Sequence, residues 1–145
     1  SRDEAKKSVI SWLYGSKTSD IGEKLSQMYA REKVLNKHYD PEKGIVTTPF
    51  GRKIPTDDHH ALNYLVQSTT ADLVFDRMLE IRDLLSDKKS FIKFCLHDSV
   101  VIDLAHEERH VIKDIFEIFS NTKLAKFQSS IAAGRNFGDL KDFNI

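Results

Sequence analysis

Two periods of apolar residues alternate along this chain, one helical and one of period two, and together they predict helices interleaved with short strands. Ala5, Val9, Trp12 and Leu13 share one face of a 3.6-residue repeat, which predicts an amphipathic helix over residues 2–14. Tyr14-Gly15-Ser16 closes it, and Thr18-Ser19-Asp20 offers caps for a second helix reaching about Asn36. A loop from Tyr39 to Gly44 follows, then short strands at Ile45–Thr48 and Arg52–Pro55 around a Pro49-Phe50-Gly51 turn. The helical period returns from about Asp57 to Ser86 with Leu62, Val66, Leu73, Val74, Met78, Ile81 and Leu85. Strict alternation then takes over. Ile92, Phe94 and Leu96 predict one strand and Val100, Ile102 and Leu104 the next, a buried hairpin with His97, Asp98 and Ser99 at its tip. A helix over about Glu107–Ser120 and a strand over Phe127–Ala132 complete an α+β chain.

Composition narrows the class without naming a function. At 145 residues the chain is one domain by size, with 30% charged and 40% apolar residues, the profile of a soluble globular protein. No apolar run approaches the ~20 residues that span a bilayer, so no membrane partner is expected. Cys95 is the single cysteine, which excludes an internal disulfide and predicts an intracellular setting. Zero net charge conceals an asymmetry. Residues 1–55 carry 11 Lys/Arg against 7 Asp/Glu, a net +4, and residues 56–145 carry 11 against 15, a net −4. That split suits an anionic ligand at one end and a cation at the other.

Three groups of residues could carry chemistry. Arg2, Lys6, Ile10 and Tyr14 recur every four residues and form one helical stripe, with two cations one turn apart that could hold successive phosphates. His59, Asn63 and Gln67 repeat that spacing on the long helix as a polar stripe, and such amides can read minor-groove acceptors. Asp98, held at the hairpin tip, suits a magnesium ligand facing a phosphate. A rival is His106-Glu107-Glu108-Arg109-His110, which fits the H-E-x-x-H pattern of zinc hydrolases, with both histidines on one helical face and Glu107 as base. The extended form of that pattern is missing, since Lys113 and Phe116 stand where its Gly and third His would be.

The three groups occur in the order of a known family. Arg2-Asp3-x-x-Lys6 with Tyr14-Gly15 resembles motif B, the fingers helix of family A DNA polymerases of the bacterial polymerase I and short phage type. Thr48-x-x-Gly51-Arg52-Lys53 resembles the T-x-x-G-R-[RK] hairpin of that family, and His59-x-x-x-Asn63-x-x-x-Gln67-Ser68 its DNA-contacting helix. Leu96-His97-Asp98-Ser99 resembles motif C, and Gly134-Arg135-Asn136-Phe137 the closing G-x-N-W segment.

The resemblance spans essentially the whole chain and implies a fingers portion at 1–44 followed by the C-terminal part of a palm at 45–145, whose antiparallel sheet packs on long helices. It implies transfer of a nucleotide from a dNTP to a primer 3′-hydroxyl on primer–template DNA, in the cytoplasm of a bacterial or phage-infected cell. Arg2 and Lys6 would meet the dNTP phosphates, Ile10 the sugar and Tyr14 the template base. Arg52, His59, Asn63, Gln67 and His97 would line the DNA. Asp98 and Lys6 would be catalytic, with Asp98 binding two Mg2+ ions.

Three positions depart from the pattern: Ser99 replaces a glutamate, Ile10 replaces Phe or Tyr, and motif A with its second aspartate is missing. The opening Ser1, directly before a helical pattern, predicts a cut or junction there. An upstream segment or partner chain is therefore expected to supply the second carboxylate. The alternative is a non-catalytic DNA-binding remnant of a polymerase.

Overall fold

The computed structural model describes residues 1–16 and 20–143 and mixes α-helices with small antiparallel sheets. The chain packs as two compact units, Ser1–Thr70 and Ala71–Ile145, with the boundary inside a long helix. No helix among the described residues is long and apolar enough to cross a membrane.

In the first unit, α1 (Arg2–Leu13) is followed by α2 (Asp20–Met28) and α3 (Arg31–His38). The expected caps Thr18 and Ser19 lie outside the described residues. The single helix expected to reach Asn36 is instead broken at Tyr29 and Ala30. Leu25 and Leu35 both reach the core around Trp12. On one straight helix they would stand about 80° and 15 Å apart, so a bend lets both pack on the same cluster. The stripe on α1 is also narrower than its sequence implies: Trp12 is buried and Leu13 packs beside it, while Val9 and Ala5 are exposed.

Strands β1 (Tyr39–Asp40), β2 (Ile45–Thr47) and β3 (Lys53–Pro55) pair antiparallel in that order, with Val46 opposite Ile54. The Thr48-x-x-Gly51-Arg52 segment shapes the turn between β2 and β3. Buried Thr48 accepts bonds at Oγ1 from the backbone N–H groups of Phe50 (3.3 Å) and Arg52 (3.2 Å). Gly51 takes φ +83°, a conformation that costs a side-chain-bearing residue steric energy. The sheet lays Val46 against Trp12, Leu35 and the Ala61, Leu62 and Leu65 face of α4 (Asp58–Leu84). Burying each large side chain there stabilises by about 1.5–3 kcal/mol.

In the second unit, β4 (Phe91–Leu96) and β5 (Ser99–Asp103) form a two-stranded hairpin. A 3-10 turn over His106–Val111 leads into α5 (Ile112–Ser120), and β6 (Ile131–Ala133) pairs with β7 (Lys141–Phe143). The core gathers Ile81, Leu85 and Val111 with Ile92, Ile102, Leu104, Ile115, Ile118 and Phe119.

The hairpin forms where alternation predicts it, but it is not buried as expected. A bulge between Ile92 and Phe94 shifts the register, so Ile92 and Cys95 face inward while Phe91, Phe94 and Leu96 are exposed. The strand expected at Phe127–Ala132 shortens to β6, whose partner arrives after a close turn. A Cβ on Gly134 would stand 2.5 Å from the Asp139 carbonyl oxygen, so glycine is required there. Asn136 orders the same turn, accepting from the Gly138 N–H at 2.9 Å and donating to Asp139 Oδ2 at 2.6 Å. Phe137 then rests on Phe94, with ring centroids 5.8 Å apart.

Candidate functional site

The first unit brings the end of α1 onto the opening turns of α4. Asn63, buried on α4, donates from Nδ2 to the Tyr14 hydroxyl at 2.7 Å and accepts from Gln67 Nε2 at 3.2 Å. The spacing of four on α4 places the two amides in line, so a three-member polar chain runs from the C-cap of α1 along the second helix. Rings surround it. Tyr14 lies 5.7 Å from His59 and 5.6 Å from His60, the two histidines are 4.9 Å apart, and Tyr64 stands 5.8 Å beyond His60.

Of these groups, Tyr14 and His59 line an open cleft of about 580 Å³, together with Ile10, Ser11, Gly15, Ser16, Arg31 and Asp58. Gly15 turns the chain out of α1 with φ +86°. Asp57 caps the start of α4 through His60: its Oδ1 accepts from the His60 backbone N–H at 2.9 Å and lies 2.7 Å from the ring Nδ1. Those bonds, the backbone one foremost, hold the Asp57 carboxyl below the usual range.

Of the residues singled out in the sequence, Ile10, Tyr14, His59, Asn63 and Gln67 thus meet in the first unit. Arg2 and Lys6 sit on exposed turns of α1 nearer its start and do not line the cleft. Arg52 lies in the β2–β3 turn that Thr48 builds and is also exposed. Ser11, Ser16, Arg31 and Asp58 line the cleft although the sequence did not mark them as site residues. Arg31 reads as an ordinary cation at the start of a solvated helix, and only the bend before α3 carries it into the cleft.

Asp98 and His97 belong to the second unit, at the two-residue turn between β4 and β5. His97 adopts φ +54°, the left-handed region that tight hairpins demand of a central residue. Asp98 is exposed at this tip, and the Ser99 hydroxyl donates to the Leu96 carbonyl at 2.8 Å. As a magnesium site the tip fits in part. Asp98 offers one hard carboxylate, the number Mg2+ often takes from protein when phosphates and waters complete its shell. Among the described residues no group of three or more His, Cys, Asp or Glu is placed to hold a metal ion.

The His106–His110 segment does not form the α-helical turn that the zinc reading assumed. It is a 3-10 turn, in which positions four apart diverge by about 120°, so the two histidines do not share a face. Glu107 pairs with Lys89 at 2.7 Å, and Arg109 bonds to His106. Glu108 accepts from the Lys89 and Ser90 N–H groups and from the buried Ser90 hydroxyl, at 3.0, 2.8 and 2.5 Å. Its carboxyl is drawn down to about 2, chiefly by the Ser90 hydroxyl. The acidic residues of the motif therefore fasten the turn to the strand beginning at Phe91.

Compared with models of known families, with curated protein sequences and with solved structures, the chain finds no match.

Proposed function

We propose that this chain is the fingers and C-terminal palm portion of a template-directed DNA polymerase of the family A type. The observation that carries the reading is the Tyr14–Asn63–Gln67 chain of hydrogen bonds. It joins the helix whose residues would contact the nucleotide to the helix whose residues would contact DNA, groups selected separately in the sequence. Lys6 and Arg2 would neutralise the triphosphate, and Asp98 would supply one carboxylate to magnesium. A second carboxylate, from an upstream strand or partner chain, completes the pair that two-metal phosphoryl transfer needs. Bound magnesium would stabilise charge on the attacking and leaving oxygens, while the cations of α1 position the phosphates.

The test is primer extension with magnesium by this chain joined to a polymerase segment carrying a motif A aspartate. Asp98→Asn abolishes extension while leaving the melting temperature unchanged, because the side chain is exposed at a turn. Ser99→Ala costs far less, since its hydroxyl is already bonded to Leu96. Lys6→Ala lowers the rate more than tenfold, at least ~1.4 kcal/mol of transition-state stabilisation. Wild-type turnover by the Asp98→Asn protein would end the catalytic assignment. Tight primer–template binding without extension favours a non-catalytic DNA-binding role.

A further inference from the structure

We propose that the bend between α2 and α3, with the outward face of α3, docks an acidic amphipathic helix of a partner protein. Lys33 and Lys37 would meet its carboxylates, and Met28, Tyr29 and Val34 its apolar side chains. This surface belongs to the first unit alone and asks nothing of the polymerase reading.

Apolar groups gather at the bend. Met28 is 72% exposed, the most of any large apolar side chain among the described residues. Tyr29 and Val34, on either side of Ala30, are exposed too. A pocket of about 400 Å³ opens there, lined by Trp12, Ser26, Tyr29, Ala30, Arg31 and Lys33 among others. Trp12 and Tyr29, with ring centroids 6.1 Å apart, give it an apolar wall. Exposed apolar surface rimmed by charge marks an interaction site.

Charge complementarity selects the partner. Lys33, Val34 and Lys37 are exposed and lie within about 100° of one another around α3, while Glu32 lies about 100° to the other side of Lys33. That face therefore holds two cations one turn apart and no anion. No carboxylate among the described residues pairs with Arg31, Lys33 or Lys37. Arg31 Nε, at the pocket, is buried without a hydrogen-bond partner, which leaves a donor that an incoming acceptor would satisfy. Carboxylates four apart on a facing helix match the spacing of the lysines, and an apolar residue between them can enter the pocket, as when a helix lies in a groove. A second copy of this face would set lysine against lysine. A nucleic acid would supply phosphates but no aliphatic side chain for Met28 and Val34.

The experiment is fluorescence anisotropy on the full chain with a labelled helical peptide of about 18 residues, or five turns. Its leucines recur at spacings of three and four, and glutamates flank them. A control peptide keeps the leucines and replaces every glutamate with lysine. The acidic peptide binds and the control does not. Lys33→Glu combined with Lys37→Glu weakens the acidic peptide by more than about tenfold, since two attractive pairs become repulsive. The same protein gains affinity for the lysine peptide, a swap that structural damage would not produce. Val34→Ser weakens the acidic peptide about threefold through lost apolar contact and leaves the salt dependence unchanged. Lys33→Gln combined with Lys37→Gln carries the test if the reversed protein does not fold.

Equal binding of the two peptides, or unchanged affinity in a folded lysine variant, overturns the docking surface, as does a wild-type chain that binds neither peptide. Primer–template duplex that displaces the acidic peptide at equal concentration, and itself binds the lysine variants more weakly, overturns it in favour of nucleic acid. Primer extension by the joined chain is expected to survive these substitutions, so the polymerase reading is judged separately, by Asp98→Asn.

Discussion

Asn63 and Tyr14, separated by 49 positions in the chain, meet through a 2.7 Å hydrogen bond that ties the end of α1 to α4. The amide is buried and the phenol half-buried, so the bond is unequal in its consequences. Without Asn63, the phenol can turn to water. Without the hydroxyl, the amide loses an acceptor in a place water does not reach.

Tyr14→Phe is therefore expected to cost about 1–3 kcal/mol of stability, the penalty of a buried donor left unmet, and Asn63→Leu about 1 kcal/mol. The double variant should be more stable than the sum of the two losses, by at least ~0.5 kcal/mol. Urea denaturation of the four proteins checks the cycle, and strict additivity would show that the bond does not form in solution.

At the hairpin tip, His97 holds φ +54°, a region that costs an L-residue about 1–2 kcal/mol. Glycine avoids that cost but loses some chain entropy on folding, about 0.5–1 kcal/mol. His97→Gly should therefore stabilise the fold by about 0.5 kcal/mol, whereas β-branched His97→Val should destabilise it by about 1 kcal/mol or more. Thermal melts of both variants decide the matter. A glycine variant less stable than wild type would mean that the imidazole makes compensating contacts.

Legibility of the sequence varied by element, for physical reasons. The α1 helix and the long helix were readable because apolar residues at helical spacing admit few other packings, and the hairpin because alternation breaks at His97-Asp98-Ser99. The bulge was hidden, since Phe91, Ile92 and Phe94 are all apolar and either parity reads as a buried face. The α2–α3 bend carries neither Gly nor Pro, so nothing local announces it. His106–His110 looked helical because local composition does not separate a 3-10 turn from an α turn. Of the site, the spacing of four from Ile10 to Tyr14 and from Asn63 to Gln67 could be read, while Arg31 owes its place to tertiary packing alone.

Arg77 is a buried cation in the second unit, on the core side of α4. It donates to Asp76 Oδ2 at 2.5 Å, to both Glu80 oxygens at 2.6 and 2.9 Å, and to the Asn121 carbonyl at 3.0 Å. Lys123 adds a second cation to Asp76 at 2.8 Å. Bonds from Arg77 and then Lys123 hold the Asp76 carboxyl below its usual range. Arg77→Met keeps much of the volume but leaves Asp76 Oδ2 and the Asn121 carbonyl without their arginine donor, with Lys123 still on Asp76 Oδ1. A loss of at least ~2 kcal/mol is expected, since removing one member strands its partners. Lys123→Met, on the exposed side, should cost under about 1 kcal/mol. Chemical denaturation of each variant distinguishes the two positions, and equal losses would contradict the burial of Arg77.

Glu108 provides a pH signature for the clamp on Ser90. Its folded carboxyl sits at about 2, below the ordinary 4.5, because the Ser90 hydroxyl and the Lys89 and Ser90 N–H groups bond to the charged form. The group binds a proton more readily unfolded than folded between those values, so its contribution to stability is full above about pH 4.5 and fades as the pH falls towards 2. Glu108→Gln cannot ionise and should remove that part of the acid slope while lowering stability at neutral pH. Asp57 and Asp76, whose carboxyls are also lowered, will still destabilise both proteins in acid, so the readout is the difference between the two curves. The gap should be widest at neutral pH and shrink between pH 4.5 and 2. Denaturation midpoints at several pH values across that window measure it, and a gap that stays constant down to pH 2 would show that Glu108 is not held as an anion by Ser90.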